Sequence, residues 1–110
     1  MTIRIERYVI YLADLDPARG AEIAKTRPVV VVSRDDMNSN LDTIVVCPLT
    51  TKLHPLWRGR IPVTCARRRA EIAVDQIRTI SKSRVMKRLD NLSAVDAARI
   101  RRLIVEMYGE

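Results

Sequence analysis

The sequence predicts an α+β domain that is mainly β, with one sheet system over the first two thirds and a C-terminal helix at about residues 93–108. Three observations lead there. Short runs rich in β-branched residues, each bounded by turn formers, recur between Tyr8 and Val74. After Ser93 the apolar period becomes helical. The chain has 110 residues, 47% apolar and 30% charged in mixed sign, which suits one domain over residues 1–110 with its own core and excludes a multidomain enzyme or a disordered tail.

The expected strands are residues 8–12, 28–33, 43–49, 60–65 and 71–74. The run from Val29 to Val32 is apolar at every position, which predicts a central strand covered on both faces. Residues 60–65 alternate, so that strand should have one wet face and lie nearer an edge. Pro48 and Pro62 lack a ladder donor and are expected at strand ends, bulges or edges. For the helix, Ser93 is a good N-cap with Asp96 three residues on, and Ile100, Leu103, Ile104 and Met107 recur at i, i+3, i+4 and i+7. Arg99, Arg102 and Glu106 fall on its opposite side, as a solvated face would require. Residues 13–27, 35–42 and 50–59 are the long irregular segments, where function tends to sit in so small a domain.

Charge narrows the partner class. There are 20 Lys+Arg against 13 Asp+Glu, a net charge of +7, and 16 of the 20 cations are Arg, whose planar fork binds phosphate bidentately. Nucleic acid is the leading partner, although an anionic membrane surface or an acidic protein segment would also suit the sign. Cys47 and Cys65 have no Cys-x-x-Cys spacing and His54 is the only His, so the usual N/S ligands of a zinc site cannot be assembled. The chemistry is expected to need no metal and no cofactor. Both Cys read as small apolar strand residues with reduced thiols. Charges at Arg4, Glu6 and Arg7 stand where a signal peptide would be apolar, and no run approaches the ~20 apolar residues of a membrane span, so the expectation is a cytoplasmic protein.

Three segments carry candidate chemistry. Between Arg19 and Pro28, a Gly-containing loop with Glu22, Lys25 and Arg27 empties into the apolar central strand, which places Arg27 where a rigid scaffold meets a loop. The plain alternative is a strand-edge Arg paired with Glu22. Between Pro48 and Arg60, Thr50 and Thr51 leave a buried strand with hydroxyls to offer a phosphate, and Lys52, His54, Trp57, Arg58 and Arg60 follow. The only Trp of the chain, flanked by Arg, suits a single-strand groove in which a base stacks on the indole, or equally a core or interface residue. His54 is a general base if something orients it and a solvated side chain otherwise. The third segment, Asp75 to Arg84, gathers a carboxylate, the Gln76 amide, Arg78 and several hydroxyls after a β run. Arg67, Arg68 and Arg69 read as a solvated turn that raises the overall field.

In this order, the segments Tyr11–Glu22, Lys25–Ser33, Val46–Thr51 and Val74–Ile80 resemble the MazF/PemK family of toxin endoribonucleases from bacterial toxin–antitoxin pairs. The Arg27-Pro-Val and Asp75-Gln-Ile-Arg-Thr segments are its most specific part. The resemblance implies an SH3-like β-barrel of the CcdB/PemK/MazF kind with a C-terminal helix, a homodimer, and sequence-specific cleavage of single-stranded RNA. It also implies, as partner, a cognate MazE-like antitoxin whose acidic, disordered segment occupies the RNA groove. Family catalytic roles fall on Arg27 and Thr50, while Glu22, Asp75 and Gln76 match positions near the site. The chain departs from the pattern at Ile23, where a Gln commonly follows the motif Glu, and at Ala73, where PemK-type members place a catalytic Arg.

RNA can cut itself by attack of its 2′-OH on the neighbouring phosphorus, which leaves a 2′,3′-cyclic phosphate and a 5′-OH and requires neither metal nor catalytic water. The protein must align the attack, stabilise the phosphate oxygens and handle two protons. Arg27 and Thr50 are suited to the phosphate, and Glu22 or Asp75 to accepting the 2′-OH proton. Lys25, Thr51, Lys52, His54, Trp57, Arg58, Arg60, Gln76 and Arg78 are the RNA-binding candidates. Two rival readings share the fold or the charge: a CcdB-like toxin that poisons a protein such as gyrase, and a nucleic-acid-binding module without catalysis.

Overall fold

The computed structural model describes residues 3–17 and 20–109. Seven strands and two helices follow in the order β1 (Val9–Asp14), β2 (Thr26–Val31), α1 (Asp35–Asn40), β3 (Thr43–Thr50), β4 (Arg60–Cys65), β5 (Arg68–Ala73), β6 (Arg78–Ser81), β7 (Val85–Asn91) and α2 (Ala94–Tyr108). Single 3₁₀ turns at Val74–Gln76 and Lys82–Arg84 flank β6. All strand pairs are antiparallel, and the ladder runs β4-β5-β3-β2-β1-β7 with β6 also on β3. The sheet curls into the mainly β, barrel-like architecture expected from the sequence.

The apolar run of β2 is covered on both faces because its side chains alternate between two clusters. Val30 packs with Ile10, Cys47, Leu49, Ile61, Ile72 and Ile100, whereas Val29 and Val31 pack with Tyr11, Leu15, Ile44 and Val46. α2 closes the first cluster, inserting Ile100 with no exposure. Ser93 caps the helix by accepting the Asp96 N–H at 3.1 Å, and Tyr108 at its far end donates its hydroxyl to the Val74 carbonyl at 3.0 Å. Arg102 and Glu106 are exposed, as a solvated face demands, but Arg99 is half-buried beside Asp96.

Several elements differ from the sequence reading. Residues 35–42 are not irregular, since α1 occupies most of them. It has no apolar stripe, and it is held by polar bonds instead: buried Asn38 accepts the Ser33 hydroxyl and donates to the Ser33 carbonyl, while Ser39 and Asn40 bond back to the carbonyls of Asp35 and Asp36. β6 and β7 were not expected either. β7 is charged and mostly exposed, and its pairing with β1 shifts register twice, so no clean alternation marks it. The Arg67–Arg69 turn is shorter than expected, because Ala66 and Arg67 make it with positive φ and Arg68 and Arg69 already belong to β5.

Pro62 lies in edge strand β4, as expected, but Pro48 is buried inside central β3. The reason is a change of partner. β3 pairs with β6 through Val46 and with β5 only from Leu49, so Pro48 falls in the gap where no ladder donor is required on that side.

The two outer strands of the ladder, β4 and β7, are joined by a side chain. Asp90 of β7 accepts the Ala66 N–H of the β4–β5 turn at 3.1 Å and the Asn91 N–H at 2.8 Å. These two bonds hold its carboxyl below the usual carboxylate range. A lowered native pKa stabilises the fold above the ordinary carboxylate pKa of ~4, and the contribution disappears as pH falls through the native value. Asp90→Ala should therefore cost about 1 kcal/mol near neutral pH, with a smaller penalty near pH 3, measured by urea unfolding at both values. Burial, helped by the Asp75 charge, pushes the Cys47 thiol up to about 12. At pH 8 a maleimide should leave Cys47 unlabelled in the native protein and label it once denaturant is added.

Candidate functional site

The segments singled out in the sequence converge at the end of the sheet where β2 begins and β3 ends. Val29 pairs with Pro48, so the same register continued by two residues sets Arg27 opposite Thr50. Thr50 in turn pairs with Glu71 of β5. Thr50 and Glu71 form a cross-strand pair that projects to one face, and the β2 register, continued past the end of its ladder with β3, adds Arg27 to the row, where it lines a pocket with Thr50.

The Arg27 Nε–H donates to the Ala24 carbonyl at 3.2 Å, which orients a guanidinium with five donors without exhausting it. Thr50 Oγ1 accepts the Lys52 N–H at 3.1 Å, so the hydroxyl proton points elsewhere and can donate to an anion. Arg27, Thr50 and Thr51 line one pocket of about 280 Å³, joined there by Arg68. Glu22, Asp75, Gln76 and Arg78 line a different one of about 400 Å³. The candidates therefore divide between two hollows that share no lining residue.

The loop before β2 is shaped by its backbone bonds. Leu15 N–H donates to the Lys25 carbonyl at 2.9 Å, and Lys25, with φ of 67°, donates its own N–H to Asp16 at 2.8 Å. Gln76 spends its amide here, accepting the Ile23 N–H at 2.7 Å and donating to the Ala21 carbonyl at 3.4 Å. The side chain of this expected RNA contact thus holds the protein's own loop. Arg78 reaches the Leu15 carbonyl at 3.4 Å. Glu22 and Lys25 are exposed; Ala18 and Arg19, within the same motif, lie outside the described residues.

The loop after Thr50 is tied down more strongly than a flexible binding loop would be. The His54 N–H donates to Glu71 Oε1 at 2.8 Å, and the His54 ring stacks on Trp57 at 3.7 Å and 8°. The Arg60 guanidinium lies 4.8 Å from the indole centroid. Trp57 is half-exposed, but a base stacking on the His54 side would have to displace that ring. Arg60, expected among the RNA contacts, is enclosed: its side chain is 5% exposed, with Nε on Asp75 at 2.8 Å and NH1 3.8 Å from Glu71. The Nε contact engages one oxygen of the Asp75 carboxylate. Gly59 allows this approach, because a Cβ there would stand 2.7 Å from that of Asp75. Lys52 and Arg58 remain exposed.

The sequence reading missed Glu71, which is 2% exposed. A charged residue opening an otherwise apolar strand, with an Arg opening the preceding one, was the available signal. At Ala73, the position where PemK-type members carry an Arg, the ladder partner is Arg60, and its guanidinium is buried against Glu71 and Asp75.

Comparison with known proteins bears on the family and the fold. The family model described as PemK-like, MazF-like toxin of type II toxin–antitoxin systems matches residues 6–108. The chain is 32% identical to the endoribonuclease MazF of Staphylococcus saprophyticus over 76% of this chain and 74% of that one. In fold it is similar to the MazF of Deinococcus radiodurans, with a TM-score of 0.85 at 18% identity over 98% of this chain and 99% of that one. It is also similar to the Mycobacterium tuberculosis toxin MazF-mt6, with a TM-score of 0.76 at 22% identity over 91% and 95% of the two chains. A mycobacterial endoribonuclease solved in complex with its cognate antitoxin gives a TM-score of 0.71 at 20% identity over 96% and 94%. The chain belongs to the PemK/MazF-like family of toxins of type II toxin–antitoxin systems.

Proposed function

We propose that this chain is the toxin of a type II toxin–antitoxin pair and acts as an endoribonuclease on single-stranded RNA in the cytoplasm. The observation that carries the reading is the Arg27–Thr50 row at the family's motif positions, a guanidinium and an outward-donating hydroxyl set on rigid strands. The reaction forms the 2′-O–P bond, breaks the P–O5′ bond, and leaves a 2′,3′-cyclic phosphate and a 5′-OH. Arg27 and Thr50 stabilise charge on the equatorial phosphate oxygens, and Arg27 donates the proton that the leaving 5′-oxygen takes up. A guanidinium with pKa above ~12 is a poor proton acceptor, so the 2′-OH proton goes to a carboxylate. Glu22 and Asp75 are the candidate carboxylates, and Asp75 also meets Arg60. Thr51, Lys52 and Arg58 follow the RNA backbone, and Lys25 stands beside Arg27.

The natural partner is an antitoxin with an acidic, disordered segment, for which a net charge of +7 is suited. A homodimer is the working assembly. No helix among the described residues is long and apolar enough to cross a membrane. A gyrase-poisoning toxin on this fold would not require Arg27 and Thr50 in one row.

Arg27→Ala should lower the rate of RNA cleavage at least ~100-fold, followed with a labelled oligonucleotide, while circular dichroism and oligomeric state stay unchanged. An oligonucleotide with deoxyribose only at the scissile nucleotide should resist cleavage; full cleavage would rule out the 2′-OH route.

A further inference from the structure

Glu71 is buried in a site that the cleavage reading does not use. Its Oε1 receives the His54 main chain, the His54 ring stacks on Trp57, Trp57 meets the Arg60 guanidinium, and Arg60 returns to Glu71. The four residues form a closed circuit under the segment that follows Thr50. A carboxylate 2% exposed loses its hydration, and a β-branched apolar residue would suit the strand better. What Glu71 supplies, and an apolar residue cannot, is an acceptor for the loop backbone and a counter-charge for Arg60. It supplies both in the row of Arg27 and Thr50.

We propose that Glu71 is the positioning residue of the RNA site, clamping residues 51–59 through the His54 N–H and Arg60 so that Thr51, Lys52 and Arg58 stand beside the Arg27–Thr50 row. The clamp gives the site a preformed wall, and the shape of that wall limits which RNA sequences are cut. This inference rests on the RNA-cleavage reading of the same site.

The test combines Arg60→Met with Glu71→Leu, which replaces the buried pair by apolar side chains; Asp75 also loses its cation but, at 34% exposed, keeps solvent contact. Trp57, the only Trp in the chain, reports the loop without any RNA. In the double variant, circular dichroism should match that of the parent while acrylamide quenches Trp57 more strongly. The KM for single-stranded RNA should rise at least ~10-fold, about 1.4 kcal/mol, with a smaller change in kcat, and mapped cleavage ends should spread over more sequences. Should that variant fail to fold, His54→Pro removes the same loop donor at the surface and should give the same losses. Glu71→Gln keeps the acceptor oxygen and should restore both readouts most of the way; failure to do so would overturn the role of the His54 bond. Parent-like quenching in the unclamped variants overturns the clamp. Increased quenching with unchanged KM and unchanged cut sites overturns its role in the RNA site. If the parent chain cuts no RNA, the cleavage reading fails, and quenching alone decides the clamp.

Discussion

The architecture depends on one strand having two partners on the same side. β3 pairs with β6 along its first half and with β5 along its end, and the change occurs at Pro48, which has no N–H to leave unpaired. Without that change, β5 would not meet the end of β3 and Glu71 would not lie opposite Thr50. On the other side, β2 holds β3 in a register that brings the Arg27 and Thr50 positions together. Residues from three distant parts of the chain are thereby brought together, Thr50 and Glu71 by ladder pairing and Arg27 just past the end of the β2–β3 ladder.

Charge is partitioned on the same scaffold. Arg60 is turned inward to neutralise Glu71 and Asp75, which would otherwise place two carboxylates close to a site for an anion. The exposed cations Lys25, Lys52, Arg58 and Arg68 add to the long-range field without entering the core. Because Asp75 is committed to Arg60 and Gln76 to the loop backbone, the Asp-Gln pair of the motif works here as architecture as much as chemistry.

Much of this was legible in the sequence, for identifiable reasons. The β2 run and the α2 stripe have strong periods, and the Ser93 cap is a local signal, so each was found where it lies. β7 and α1 were hidden because what holds them is not hydrophobic periodicity: β7 follows a register-shifted partner and α1 is fastened by Asn38 and its own polar side chains. At the site, Arg27 and Thr50 were visible because each stands where a strand meets a loop. The burial of Arg60, the occupied amide of Gln76 and the importance of Glu71 depend on contacts between segments far apart in sequence, which spacing along the chain does not encode.

The six-strand path of the curled sheet ends in β4 and β7, and among the described residues neither carries a ladder on its outer side. Such edges are templates for adding another strand and so for aggregation. β4 carries Pro62, which cannot donate there, and β7 exposes Lys87 and Arg88. Part of the Lys and Arg excess thus acts against chain-to-chain pairing, so the residues that attract a polyanion also help keep the protein soluble when no partner covers it.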